Sequence, residues 1–266
     1  MAKRMENKYI PLADYFLKAT LNEVKLTYTA LENIIGQQLP NAAYLNSSWW
    51  KKTKPPAMHF QAWTDADYYV KEIVLGRTVT FAKTSDMLSD NNIDQTKSVD
   101  ILIIRPVDLE DARSIIQLQQ AIYSETDFML FGIDDRRMTV QSIRKQIGEW
   151  KKSLNSSMFV GILNGEFAGF IVILGGPAPR ASHRASLVIG VRKAFHGKNV
   201  GTALIKKAES WAKEINIERM ELTVMENNER AIYLYKKMGY LVEGTRSHAL
   251  KINNEFVNEY YMGKLI

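Results

Sequence analysis

Residues 185–191 read ASLVIGV, and residues 192–208 read RKAFHGKNVGTALIKKA. The first segment alternates apolar and β-branched side chains, the pattern of a strand. The second sets Val200, Ala203, Leu204 and Ala208 at helical spacing on one face. Between them lies a short polar turn holding Gly197, Lys198, Asn199 and Gly201. A helix N-terminus offers N–H groups without helical partners and a partial positive charge. Glycines let the backbone approach an anion closely, and Lys198 adds a formal charge. Alone, the stretch predicts an anion site, with an ordinary strand-to-helix turn as the plain alternative. Neither G-x-x-x-x-G-K-S/T nor G-x-G-x-x-G occurs in the chain.

Working outward, Val99 to Arg105 reads as a β-branched strand stopped by Pro106. Asp108 can cap a helix through Ile122 with Ile115, Leu118 and Ile122 as its apolar stripe. The loop SETDFMLFGIDDRRM follows, and Thr139 caps a second helix to about Leu154. Met158 to Leu163 and Glu166 to Leu174 flank Asn164-Gly165, a strong hairpin signal. Downstream of the opening stretch, Met220 to Met225 is a strand. Asn228 to Met238 is a helix closed by Gly239, and Tyr240 to Ile252 with Phe256 to Leu265 form a final hairpin around Asn253-Asn254. The order β-α-α-β-β-β-α-β-α-β-β predicts an α/β (mixed α+β) domain, its mixed central sheet flanked by helices and not doubly wound.

Upstream, residues 1–8 read as a basic tail, and residues 1–83 as a small α+β domain. Leu12, Tyr15 and Phe16 mark a helix after Pro11, and Val24 to Tyr28 a strand. Thr29-Ala30-Leu31-Glu32 has capping-box form, with Gly36 to close that helix. Tyr68 to Leu75 and Thr78 to Phe81 are two strands joined at Gly76-Arg77. Residues 84–98, TSDMLSDNNIDQTKS, are polar and turn-rich and serve as the linker to a domain at 99–266.

The chain has 266 residues, no cysteine and a net charge of +6. That excludes disulfides, thiol catalysis and cysteine metal sites. The four histidines, His59, His183, His196 and His248, have no metal-ligand spacing, and no metal is expected. Residues 1–97 carry 12 Lys and Arg against 10 Asp and Glu, and residues 98–266 carry 23 against 19, so neither part has the concentrated excess of a nucleic-acid binder. No apolar run reaches the roughly 18–20 residues of a membrane span, and no secretory h-region is evident, so the expected compartment is the cytoplasm.

Three stretches, in this order, resemble the GNAT acetyltransferase superfamily. VRKAFHGKNVGTAL is similar to its acetyl-CoA motif, Q/R-x-x-G-x-G/A after a strand. ENNERAIYLYKKMGY is similar to its N-x-x-A-x-x-x-Y-x-x-x-G-F helix, and EGTRSHALKINNEFVNEYYMGKLI to the closing hairpin of bacterial members. The likeness covers residues 99–266. Two departures stand out: His196 replaces the usual Arg or Gln, and Asn199 the first glycine. Asn tolerates left-handed backbone better than other side chains, so the turn can still form. Separately, Leu39-Pro40 with Ala43, Trp49-Trp50, Ala62-Trp63 and Val70 to Phe81 resemble a small bacterial domain of unknown function.

The resemblance implies acetyl-CoA (coenzyme A) as cofactor and acetyl transfer to a primary amine by direct attack in a ternary complex. It assigns the cofactor to Ile189, Val191, His196, Gly197, Lys198, Asn199, Val200, Gly201, Thr202, Asn228, Ala231 and Tyr235. Asn228 would bind the cofactor arm beside the slim Ala231, and Tyr235 would be the general acid, with Tyr233 turned away. A phenol is protonated at pH 7 and can donate to a forming thiolate. The base stays open among Glu125, Asp127, Asp134, Asp135, Glu221, His183 and water. Glu125 is the first choice for acceptor contact, and Glu221 reads as a solvated strand-end charge. Possible partners are a small-molecule or peptide amine and a second copy of the chain. Another class remains: an acetyl-CoA-binding regulator with a weak or inactive GNAT domain, its Trp49 and Trp50 stacking on nucleic acid beside Lys51, Lys52 and Lys54. A Trp-built core with solvated lysines is the plainer reading.

Overall fold

The computed structural model describes residues 5–51, 58–84, 100–132 and 137–266. Val99, nearly all of the expected linker, Lys52, Lys54, Asp134 and Asp135 lie outside the described residues. Internal contacts divide the chain into two units, Met1–Asp111 with Ile162–Phe167, and Ala112–Gly161 with Ala168–Ile266.

The first unit runs α1 (Ile10–Lys18), β1 (Glu23–Thr27), α2 (Tyr28–Ile35), α3 (Asn41–Leu45), α4 (Ser47–Trp50), α5 (Gln61–Thr64), β2 (Tyr68–Val74), β3 (Thr78–Lys83) and β4 (Leu102–Pro106). The first three strands form an antiparallel sheet in the order β1-β3-β2. Pro11 sits in the first turn of α1, where its missing N–H is harmless, and Leu12, Tyr15 and Phe16 are buried as the spacing predicts. The cap of α2 is Thr27, whose side chain accepts from the Ala30 N–H at 3.0 Å. The Thr29 capping box is therefore a misreading by two residues: Tyr28 is already helical. Gly36 closes α2 at φ +79°, and a Cβ there would fall 2.9 Å from the Arg105 guanidinium.

Arg105 is buried. It donates to the Asn33 carbonyl and forms a two-pronged pair with Asp111 at 2.7 and 2.8 Å. Asn33 Nδ2 in turn donates to the Gly165 carbonyl at 2.8 Å. These bonds explain why β4 and the hairpin tip at 162–167 group with the first unit. The tryptophans follow the plainer reading: Trp50 and Trp63 are buried, and Trp49 lies stacked on buried His59 at 3.8 Å.

The second unit contains α6 (Ala112–Glu125), α7 (Val140–Lys152), β5 (Ser157–Leu163), β6 (Glu166–Gly175), β7 (Arg184–Val191), α8 (Val200–Glu214), β8 (Arg219–Met225), α9 (Glu229–Lys237), β9 (Leu241–Ile252) and β10 (Glu255–Leu265), with the tip of the β5–β6 hairpin counted in the first unit. A short 3-10 turn, Leu109–Asp111, precedes α6, so the helix starts later than Asp108 capping predicts and runs to Glu125. Thr139 and Ser142 form the expected box on α7. Asn164 and Gly165 both take positive φ (51° and 85°), as a two-residue hairpin demands.

Within the second unit the sheet order is β5-β6-β7-β8-β10-β9. β5 and β6 are buried almost throughout, as central strands covered on both faces should be. A Cβ built on Gly190 would meet Ile122 of α6, whereas one built on Gly201 of α8 would meet Leu234 of α9 and Ile189 of β7. So α6 covers one face of β7, and α8 with α9 the other. By strand alternation Arg184, Ser186 and Val188 share the α6 face with Gly190. β9 forms the sheet edge, and its ladder with β10 breaks register at two places.

Candidate active site

β7 pairs with β6 along Ala185 to Val191, and β8 pairs with β10 along its whole length. Between themselves β7 and β8 pair, in parallel, just at Arg184, Ala185 and Ser186 against Arg219, Met220 and Glu221. Beyond that the seam opens. The inner edges of residues 187–191 and 222–225 face each other without a ladder, and both strands lead to helix N-termini at this open end. Strand-edge N–H and C=O groups need partners, and here a slim polar chain can supply them.

The turn after β7 is built as the sequence predicts and held by an added tie. His196 Nε2 lies 2.9 Å from the Val191 carbonyl, which folds the turn back on the strand end. Gly197 and Asn199 both take positive φ, 79° and 61°. Asn199 thus performs the conformational task of the glycine it replaces, and it is the N-cap of α8 without a side-chain cap bond. The first N–H of this helix with a backbone acceptor is that of Ala203, bonded to Asn199 O at 3.0 Å. The N–H groups of Val200, Gly201 and Thr202 have no acceptor among the described residues. Val200 itself is buried, so its contribution is its backbone. Lys198 is exposed. These donors fit a polyanion such as a pyrophosphate.

Glu125, at the end of α6, reaches this turn. Its carboxylate accepts from the Lys193 N–H at 2.5 Å and lies 3.7 Å from Arg192 Nε. Its observed partners are therefore those of a brace.

On the other side of the seam, Asn228 is the N-cap of α9, its Oδ1 accepting from the Ala231 N–H at 3.2 Å. The cap fixes the start of the helix that carries Tyr235. Tyr235 is buried, and burial pushes its phenol well above the usual range. Tyr233 is 70% exposed, turned away as expected. Tyr235 meets Tyr240 edge-on, with centroids 6.1 Å apart. Tyr240 stands where the motif has Phe. Among the described residues its buried hydroxyl makes no hydrogen bond of normal geometry, though it lies near the Glu209 carboxylate of the Lys264–Glu209 ion pair at 2.7 Å. Burial, then the Glu209 carboxylate, pushes its phenol upward too.

The fold brings together Ile189, Val191 and Gly201, and adds Leu234, which no motif flagged. Among the base candidates, Glu221 is corrected: it is 5% exposed and bonded to Arg184 and Arg219, not solvated. Arg184 lies 37 residues away, whereas Arg219, two residues before Glu221 on β8, and the apolar neighbours Met220 and Leu222 are local hints of burial. His183 is exposed. No group of three or more His, Asp or Glu among the described residues could hold a metal, and no helix there is long and apolar enough to cross a membrane.

Comparison with known proteins matches residues 119–240 to the GNAT acetyltransferase family and residues 9–85 to a domain of unknown function, DUF7662. L-amino acid N-acetyltransferase AaaT of Escherichia coli K12 is 34% identical over 111 residues, 40% of this chain and 66% of that enzyme, just short of two thirds of its length. Spermidine N(1)-acetyltransferase of the same organism is 25% identical over 160 residues, 60% of this chain and 83% of that enzyme. A GNAT-family acetyltransferase structure from Streptococcus pneumoniae superposes with a TM-score of 0.60 at 30% identity, covering 62% of this chain and 99% of the other. With the motifs in order, the split seam and the donor-rich turn, these likenesses show that the chain belongs to the GNAT family of acetyltransferases, whose acyl donor is acetyl-CoA.

Proposed function

We propose that the chain transfers an acetyl group from acetyl-CoA to the primary amine of a small molecule, by direct attack within a ternary complex. Two features support this reading. One is the α8 N-terminus at the open end of the β7–β8 seam, with three N–H groups lacking acceptors among the described residues; the other is buried Tyr235 on α9, the helix whose Leu234 packs toward Gly201 of α8. Bound acetyl-CoA supplies an activated thioester carbonyl.

Every other part falls to the protein. Gly197 to Thr202 bind the pyrophosphate through backbone N–H groups, with Lys198 adding charge. His196 holds the turn by its bond to Val191. The unpaired edges of β7 and β8, at Ile189 and Val191 in particular, take the amide-bearing arm. Ala231 and capped Asn228 shape its far wall. Tyr235 faces the leaving sulfur. Its phenol is reluctant to ionise, so it serves as a neutral hydrogen-bond donor, with full proton transfer the costlier step. Glu125 braces the turn. The small-molecule acceptor is supported by the amino acid and spermidine enzymes among the relatives.

The test is acetyl-CoA-dependent thiol release over a panel of amines, with acetyl-CoA binding measured alongside by calorimetry. Release that requires both acetyl-CoA and an amine is expected. Tight binding with no turnover over the panel would leave a sensor and remove the enzyme.

A further inference from the structure

The closed end of the seam holds a cluster that the acetyl-transfer reading does not use. On the α6 face, the last paired residues are Ser186 and Glu221. Oε1 of Glu221 accepts from Arg184 Nη1 at 3.0 Å and lies 3.4 Å from Ser186 Oγ; Oε2 accepts from Arg219 Nε at 3.2 Å. Arg219 turns its other nitrogens onto Glu243, Nη1 at 2.8 Å. Farther along the same face lie Val188, 42% exposed, and Thr223, with Tyr261 opposite Thr223 on β10. Beyond them Arg246 bonds Glu259 at 3.0 Å.

Two features of this face bear on the acceptor. Its carboxylates Glu221, Glu243 and Glu259 are each already matched by a guanidinium. Meanwhile Arg184 leaves its side chain 43% exposed while donating one nitrogen to a buried partner. A buttressed, planar fork with spare donors is suited to a carboxylate. A polyamine would find the carboxylates occupied and exposed guanidiniums in its way.

Resting on the acetyltransferase reading, we propose that the acceptor is a small amine that carries a carboxylate, an α-amino acid in the simplest case. Arg184 is its carboxylate anchor. Val188 lies four residues along β7, about 13 Å at strand rise, a distance that an extended guanidinium and a small amino acid cover together. The amine is then presented where the seam opens, beside Val188 and Thr223. Ser186 adds a hydroxyl at the anchor.

The experiment compares L-amino acids, their C-terminal amides and spermidine in the thiol-release assay. It uses the full-length protein and its Arg184→Gln and Arg184→Lys variants. Wild type is expected to prefer acids over amides by about 10- to 100-fold in kcat/KM, the worth of one charge-assisted bond. Arg184→Gln should raise KM for acids by a similar factor, erase the preference over amides and leave KM for acetyl-CoA unchanged. Arg184→Lys, which keeps the charge and can keep the Glu221 contact, should fall between, and it carries the test if the Gln variant is unstable. Equal use of amides or spermidine by wild type, or a preference that survives Arg184→Gln, would overturn the assignment. If no amine releases CoA, the acetyltransferase reading fails separately. Calorimetry of L-amino acids into the CoA-loaded protein then decides: binding lost in Arg184→Gln upholds the anchor, and no binding to wild type rejects it.

Discussion

In the first unit, Trp50 Nε1 donates to the Ala43 carbonyl at 2.9 Å and lies 3.0 Å from the Tyr28 hydroxyl, which itself donates to Ala43. His59 is bonded to Trp49 O at 2.8 Å, and buried Arg105 has Asn33, Pro106 and Asp111 around its guanidinium. In the second unit the turn after β7 leaves a run of N–H groups open, and the β7–β8 seam gives up its ladder after three residues. Both regions are well packed, yet they treat polar groups in opposite ways. Buried polar groups are ordinarily satisfied within the fold. Where a fold leaves them open along a cleft, the partner comes from outside. The proposed function places its chemistry on the side of this contrast where polar groups stay open.

The comparison can be broken at either side. The largest effect is expected at Arg105: Arg105→Ala leaves the Asp111 carboxylate buried without its partner, costing about 3–5 kcal/mol in urea unfolding. A loss under about 1 kcal/mol would mean that these satisfied bonds are not what holds the first unit. Next is Tyr235→Phe, which should lower kcat by roughly 100-fold, about 2.7 kcal/mol, while acetyl-CoA affinity holds; unchanged kcat would remove Tyr235 from the reaction.

Smaller and opposite in sign is Tyr240→Phe. Removing a buried hydroxyl that makes no hydrogen bond of normal geometry among the described residues should stabilise the fold by up to about 1 kcal/mol, read as a higher melting temperature. Destabilisation would reveal a bond to the Glu209 carboxylate. The same variant gives a pH signature. The phenols of Tyr15, pushed up to about 12, and of Tyr235 and Tyr240 are all raised by burial. Below about pH 10 these tyrosines are neutral in folded and unfolded chains alike, and their ionisation takes nothing from stability. Above it the unfolded chain ionises first, so stability falls as pH rises. Tyr240→Phe should make that fall shallower.

The smallest effect is expected for Asn199→Gly. The residue already takes φ +61° and makes no side-chain cap bond. Acetyl-CoA affinity should therefore change by no more than about twofold, the few tenths of a kcal/mol that separate Gly from good caps. A marked loss would show that the Asn199 side chain itself meets the cofactor.

Much of this was legible in the sequence because it rests on local rules. Asn164-Gly165 announced a tight hairpin, Gly36 a left-handed helix end, and the spacing from Val200 to Ala208 a buried face. The full element order of the acetyltransferase domain follows from such signals. What escaped depends on partners distant in the chain. Glu221 looks like a strand-end charge until Arg184, 37 residues away, is found beside it. The bond from the Lys193 N–H to Glu125, 68 residues apart, is equally invisible in the local sequence. Even a local reading slipped at α2, because Thr27 and Thr29 both suit a cap and only the backbone decides between them.

The two register breaks between β9 and β10 have a consequence away from catalysis. β9 is a sheet edge exposed along most of its length, with Leu241 and Val242 at its start. A long, straight, unpaired edge invites strands from other molecules and seeds aggregation. The irregularities at Val257/Glu259 and Tyr261/Met262, and His248 at φ +53°, bend that edge out of a regular template. Straightening those bulges would leave a more regular edge template, and the expected result is lower solubility.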